Sequence, residues 1–121
     1  MTIPVLICDD SNMARKQVAR SLPESWDVDI TFAKNGVEGL SAIREGKGEM
    51  VFLDLTMPEM DGYGVLEQVH SEGLNAMIIV ISGDIQPTAH DRVKSMGAID
   101  FIKKPVNKDK LHSVLNAYGL M

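Results

Sequence analysis

The sequence predicts an α/β fold: a five-stranded parallel sheet, order 2-1-3-4-5, with helices on both faces in the flavodoxin-like, doubly wound manner. Short apolar runs alternate strictly with segments of helical periodicity, and each run is too brief to be a helix. The first, third and fourth runs are apolar throughout, so both of their faces need cover; the second alternates, and the fifth is short and carries Asp100. Strands two and five therefore belong at the edges. The reversal of strand order then falls between strands one and three, where ligands of such sheets bind at the strand C-terminal ends.

Each element has its own grounds. Ile3 to Cys8 is the first strand; Asp9-Asp10-Ser11 offers a cap, and a helix follows with Ala14, Val18, Ser21 and Leu22 on one face until Pro23 stops it. Val28, Ile30 and Phe32 alternate with Asp29 and Thr31, the period of a strand with one wet face. Asn35-Gly36 turns the chain into a second helix carrying Val37, Leu40 and Ile43, which the Gly46-Lys47-Gly48 cluster ends. Met50 to Leu53 is the third strand. After Pro58 a helix with Tyr63, Leu66 and Val69 runs to Ser71-Glu72-Gly73. Met77 to Ile81 is the fourth strand, and the helix after Pro87 turns Ala89, Val93 and Met96 inward before Gly97. Ile99 to Ile102 leads to Lys103-Lys104-Pro105, and the last helix, starting near Asn107, spaces Leu111, Val114, Leu115 and Tyr118 for burial.

With 121 residues and no repeat or low-complexity tract, residues 1–121 read as one domain. A formal charge of -5 argues against a nucleic-acid surface. No apolar run approaches the roughly 18 residues a membrane span needs, and the single cysteine, Cys8, cannot form an internal disulfide, so a reducing, cytoplasmic setting is expected. Cys8 reads as a buried structural thiol and most of the methionines as core fillers. His70, His90 and His112 have no metal-ligand spacing and are assigned no chemistry.

The strand ends carry the chemistry. Asp9 and Asp10 follow the first strand, Asp54 closes the third, Ser82 the fourth, and Lys104 lies just beyond the fifth. Taken singly, the paired acids are a turn and cap, Asp54 and Ser82-Gly83 turn residues, Lys103-Lys104 a solvated pair and Phe101 a core residue. Together they meet at one crevice. Three carboxylates there repel one another by roughly 4 kcal/mol per pair at 4 Å and an effective dielectric of 20. A hard divalent cation such as Mg²⁺ suits such oxygen ligands, and Lys104 adds a mobile positive charge.

With these residues assembled, the chain resembles the receiver domains of two-component response regulators, of the single-domain chemotaxis type. The resemblance rests on Cys8-Asp9-Asp10-Ser11, on Leu53-Asp54-Leu55 with Met57-Pro58 and Asp61-Gly62, on Ile81-Ser82-Gly83, and on Phe101-Ile102-Lys103-Lys104-Pro105, and it spans nearly the whole chain. It implies that Asp54 is a nucleophile that takes a phosphoryl group from the phosphohistidine of a histidine kinase or phosphotransfer protein. By the same resemblance Asp10 contacts Mg²⁺ (or Mn²⁺) directly, Asp9 mostly through water, and the Asp54 carboxylate and Thr56 carbonyl complete the protein ligands. Lys104 and the switch hydroxyl Ser82 meet the phosphoryl oxygens, Phe101 is the aromatic switch, and the Lys104-Pro105 bond is cis. Thr56 and Asp84 flank the path of water and tune the phosphoryl lifetime.

The face of helix four, strand five and helix five would dock a downstream target, presenting Gln86, His90, Lys94, Asp109, His112 and Asn116. Such a domain catalyses only its own phosphorylation and dephosphorylation, so it is not expected to be an enzyme. A haloacid-dehalogenase-like phosphatase is the alternative of another class, but its usual second acid, two residues past the nucleophile, is here Thr56, and no cap insertion is present. A receiver-like binding module without phosphorylation is opposed by the full set of acids and Lys104. Both a complete regulator and a receiver belonging to a larger protein fit the sequence.

Overall fold

The computed structural model describes residues 2–83 and 86–121. Five strands and five helices alternate: β1 (Ile3–Cys8), α1 (Asn12–Ser21), β2 (Val28–Ala33), α2 (Gly36–Arg44), β3 (Met50–Leu53), α3 (Gly62–Glu72), β4 (Met77–Ser82), α4 (Pro87–Ser95), β5 (Asp100–Lys103) and α5 (Lys108–Ala117). All strand pairs are parallel in the order β2-β1-β3-β4-β5, as the apolar patterning requires.

The alternation of side chains along the central strands builds two cores. Val5, Ile7, Phe52, Ile79 and Ile81 pack on one face with Val18 of α1, Leu22 at its C-cap, and Leu111 and Leu115 of α5. Leu6, Cys8, Val51, Leu53, Ile78 and Val80 pack on the other with Leu40 and Ile43 of α2, Val65 and Leu66 of α3, and Val93 of α4. The helix starts are set by short polar side chains: Ser11 accepts from the Ala14 N–H, Asn35 from Glu38, Asp61 from Gly64 and Asn107 from Lys110. Gly73, at φ 65°, closes α3 in the left-handed conformation that glycine adopts freely. The Lys104-Pro105 bond is cis.

Four details depart from the sequence expectation. α3 begins at Gly62, later than a start directly after Pro58, because Asp61 rather than the proline provides its cap. Phe32 is half exposed although its strand period points it inward, since Arg15 and Lys34 line the same shallow hollow at the sheet edge. Tyr118 is the C-cap of α5, past the last helical turn, and is exposed. Met50 and Met57 are buried and Met60 and Met96 pack on the core, but Met13, Met77 and Met121 face solvent. Among the described residues no helix is long and apolar enough to cross a membrane.

Candidate functional site

Parallel pairing in register brings the strand ends to a common rim. Cys8 lies opposite Leu53 and Ser82 opposite Lys103. Hydrogen bonds carry the pairing one residue further, from the Asp54 N–H to the Cys8 carbonyl (2.9 Å) and from the Lys104 N–H to the Ser82 carbonyl (2.8 Å). Asp9 and Asp54 thus sit side by side on adjacent strands, with Lys104 arriving from beyond β5. Asp9, Asp54 and Ser82 are all buried, while Asp10 and Thr56 are exposed at the mouth.

One oxygen from each of Asp9, Asp10 and Asp54 lies within 4.8 Å of the other two. Among the described residues this is the one group of His, Cys, Asp or Glu side chains so arranged. Three oxygen donors, two of them buried, fit a hard cation of the Mg²⁺ type in donor chemistry and number. The Lys104 ammonium lies 2.8 Å from Asp9 Oδ2 and 3.5 Å from Asp54 Oδ1. Asp9 Oδ1 accepts from the Ser11 N–H at 2.9 Å, and Asp54 Oδ1 accepts from the Leu55 N–H at 2.9 Å.

Electrostatics follow from this crowding. Burial, and next the charge of Asp9, push the Asp54 carboxyl up to about 6 against the pull of Lys104. Burial alone would lower the Lys104 pKa, but its hydrogen bond to Asp9 and the charge of Asp54 outweigh that and raise it. The Cys8 thiol behind the site is pushed to about 12 by burial, then by the charges of Asp9 and Asp54. It lies 3.3 Å from the Asn35 carbonyl and 3.6 Å from the Met57 sulfur, the buried structural role expected of it.

Of the residues singled out in the sequence, the structure gathers Asp9, Asp10, Asp54, Ser82 and Lys104 at the rim, with Thr56 exposed two residues past Asp54. Phe101 is partly buried on β5, paired with Val80, its ring 5.5 Å from that of His90. Asp84 lies outside the described residues. His112 is a correction: its Nε2 meets the Ser21 carbonyl at 2.9 Å, so it faces α1 rather than the α4-β5-α5 surface. Asn116, one turn on, shares that side of the helix. The opposite side carries Lys110, whose ammonium reaches the carbonyls of Lys103 (3.3 Å) and Pro105 (2.9 Å).

One contributor escaped the reading of the sequence, and another entered it only as part of a motif. Arg15, one turn into α1, sends its guanidinium back to the Asp9 carbonyl at 2.6 Å. Gly62, quoted only within the Asp61-Gly62 motif, is the other: a Cβ there would lie 2.4 Å from the Asp54 carbonyl oxygen, so only glycine allows α3 to start against the end of β3.

An acidic, lysine-bearing rim thus lies at the switch point of a 2-1-3-4-5 sheet, where folds of this kind bind their ligands. The sequence pattern of the family described as "Response regulator receiver domain" matches residues 5–116, and the chain belongs to that family. It is 34% identical over 114 residues to the chemotaxis protein CheY of Listeria monocytogenes, covering 93% of this chain and 95% of that protein. It is also 36% identical over 104 residues to a protein-glutamate methylesterase/protein-glutamine glutaminase of Geobacter sulfurreducens, but spans only 28% of that protein's length.

Solved structures agree. The receiver domain of NarL from Mycobacterium tuberculosis superposes with a TM-score of 0.85 at 28% identity, over 98% of this chain and 97% of that one. CheY in a CheX-CheY-BeF3-Mg complex from Borrelia burgdorferi superposes at 0.86 and 28% identity, over 97% and 89%. The chain is therefore a receiver domain acting as a phosphoacceptor in two-component signalling, and the comparisons lend no support to a haloacid-dehalogenase reading.

Proposed function

We propose that Asp54 is the phosphoryl acceptor of this domain, that the whole of residues 1–121 forms the receiver, and that a histidine kinase or phosphotransfer protein in the cytoplasm is the donor. One observation carries the assignment: three carboxylates converge within 4.8 Å while Lys104 reaches two of them. The Leu55 N–H holds Asp54 Oδ1, which leaves Oδ2 to attack phosphorus. In that step the Asp54 O–P bond forms, the P–N bond of the phosphohistidine breaks, and its electron pair returns to the imidazole. Asp54 must be ionised, and with a pKa of about 6 it is mostly so at neutral pH. Mg²⁺, or Mn²⁺ in its place, would neutralise developing charge on the phosphoryl oxygens while held by Asp10 and Asp54, by Asp9 through water, and by the Thr56 carbonyl.

Asp9 suits the water-mediated role because both of its oxygens already have partners, Ser11 N–H and Lys104. Lys104 and Ser82 then serve the phosphoryl oxygens. The chemistry is performed on the domain itself, so no substrate is turned over. The readout surface would be that of α4, β5 and α5, where Asp100 meets His90 at 3.7 Å and Lys94 at 3.9 Å and where Phe101 would shift together with Ser82 on phosphorylation. With His112 turned to α1, Lys110 takes its place on that surface beside Gln86, His90 and Lys94.

The test is intact mass after incubation with acetyl phosphate and Mg²⁺, for wild type and Asp54→Asn. Wild type gains one phosphoryl group and the variant none. A wild type that gains nothing, or a variant that gains as much, refutes the assignment.

A further inference from the structure

We infer that Arg15 is a positioning residue for the metal site: its guanidinium locks the peptide that joins the two acids at the end of β1. This rests on the metal-site reading above and adds to it a residue outside the acids and Lys104. One arm of the guanidinium donates to the Asp9 carbonyl at 2.6 Å and another to Asn12 Oδ1 at 3.3 Å. The carbonyl it holds belongs to the Asp9–Asp10 peptide, which is rigid and planar, so fixing its oxygen fixes the direction in which Asp10 leaves the chain. Asp9 is independently pinned by the Ser11 N–H and by Lys104, whereas Asp10 is exposed and depends on its backbone for placement. A planar fork holds a carbonyl and an amide in one fixed geometry, whereas an ammonium on a flexible stem can reach two acceptors without setting their directions. Outer partners that orient ligands in this way commonly set metal affinity within a factor of roughly 10 to 100.

The sign of the effect separates this role from a purely electrostatic one. A cation near a Mg²⁺ site repels the metal, so removing charge alone would tighten binding, whereas removing the brace loosens it. Mg²⁺ binding to the full chain is measured by isothermal titration calorimetry for wild type, Arg15→Met and Arg15→Lys, with urea unfolding midpoints to establish that each is folded. Arg15→Met is expected to bind roughly tenfold more weakly than wild type, and Arg15→Lys, which loses the fork and keeps the repelling charge, at least as weakly. Equal or tighter binding by Arg15→Met overturns the inference. Should that variant not fold, Arg15→Lys decides, because it keeps charge but loses the fork: binding equal to wild type overturns the inference and weaker binding supports it. If wild type itself binds no Mg²⁺, it is the metal-site reading that fails, an outcome distinct from a wild type that binds and an Arg15 variant that binds alike.

Discussion

Lys104 is held closer to Asp9, at 2.8 Å, than to Asp54, at 3.5 Å. The ammonium thus occupies an oxygen of the acid proposed to meet the metal through water, and it would compete with the cation for the same negative charge. Removing it should help one function and harm another. Lys104→Met is expected to bind Mg²⁺ more tightly, by roughly three- to tenfold, while losing most phosphoryl uptake from acetyl phosphate. Calorimetric titration and intact mass measure the two effects separately, and unchanged or weaker metal binding would show that the pairing with Asp9 has no hold on the site. The direction is opposite to that expected for Arg15→Met, although both substitutions remove a positive charge.

The raised pKa of Asp54 makes stability depend on pH in a defined direction. Its folded-state value of about 6 lies above the ordinary 3.8, so between those values the folded chain binds a proton that the unfolded chain releases. Stability falls as pH rises through that window, and above it the folded chain carries the whole cost of the buried charge. Asp54→Asn removes the charge. In EDTA at neutral pH the variant should be more stable than wild type by roughly 2 kcal/mol, allowing for solvent screening. The advantage should vanish as pH drops through the window, and saturating Mg²⁺ should narrow it at neutral pH. Urea midpoints across pH test this; a pH-independent difference would contradict it.

Gly62 offers a steric prediction. A methyl group there meets the Asp54 carbonyl oxygen at 2.4 Å and the Leu55 Cα at 2.9 Å, both backbone atoms that cannot swing aside. Gly62→Ala should therefore cost at least about 2 kcal/mol of stability and disturb the acceptor strand itself. Among the described residues nothing lies within 4 Å of a would-be Cβ at Gly83, so Gly83→Ala should stay within about 0.5 kcal/mol of wild type. Comparable losses at the two positions would be inconsistent with a close approach at Gly62.

Cys8 is buried, with its pKa pushed to about 12, so almost no thiolate is present or reachable at neutral pH. Ellman's reagent should modify the native chain only at the rate at which it unfolds, and at full speed in denaturant. Rapid labelling of the native state would mean that the thiol is open to solvent.

The sheet order and the rim were legible because they depend on patterns that neighbouring residues enforce. Continuous apolar runs demand cover on both faces, and a polar residue ending several parallel strands has one common place to go. The errors fall where a single side chain answers to its local surroundings. Phe32 obeys the strand period yet finds Arg15 and Lys34 where apolar cover was expected. His112 turns from one face of α5 to another because adjacent helical positions differ by about 100° and only packing fixes the phase. Arg15 was missed because a long side chain can reach back past its own helix start, which spacing alone does not reveal.

Thr56 separates how long the phosphoryl group lasts from how well the metal binds. It is exposed two residues beyond Asp54, and its proposed ligand atom is the backbone carbonyl, which every residue possesses. A change of side chain should therefore leave the metal ligand in place and alter only what screens the acyl phosphate from water. Asp84, the other residue expected on that path, lies outside the described residues, so Thr56 is the position at which the structure allows the idea to be tried. Thr56→Arg places a bulky cation at the mouth and should slow loss of the phosphoryl group by a factor of about three or more, equivalent to ~0.7 kcal/mol or more in the barrier. Thr56→Ala, which opens the mouth, should leave the rate equal or faster. Both variants should bind Mg²⁺ as wild type does. The measurement is the decay of the phosphorylated mass after removal of acetyl phosphate, alongside calorimetric Mg²⁺ titration. Unchanged decay in Thr56→Arg would remove this residue from control of the lifetime, and a matching loss of metal affinity would mean that its side chain acts on the ligand set instead of on water.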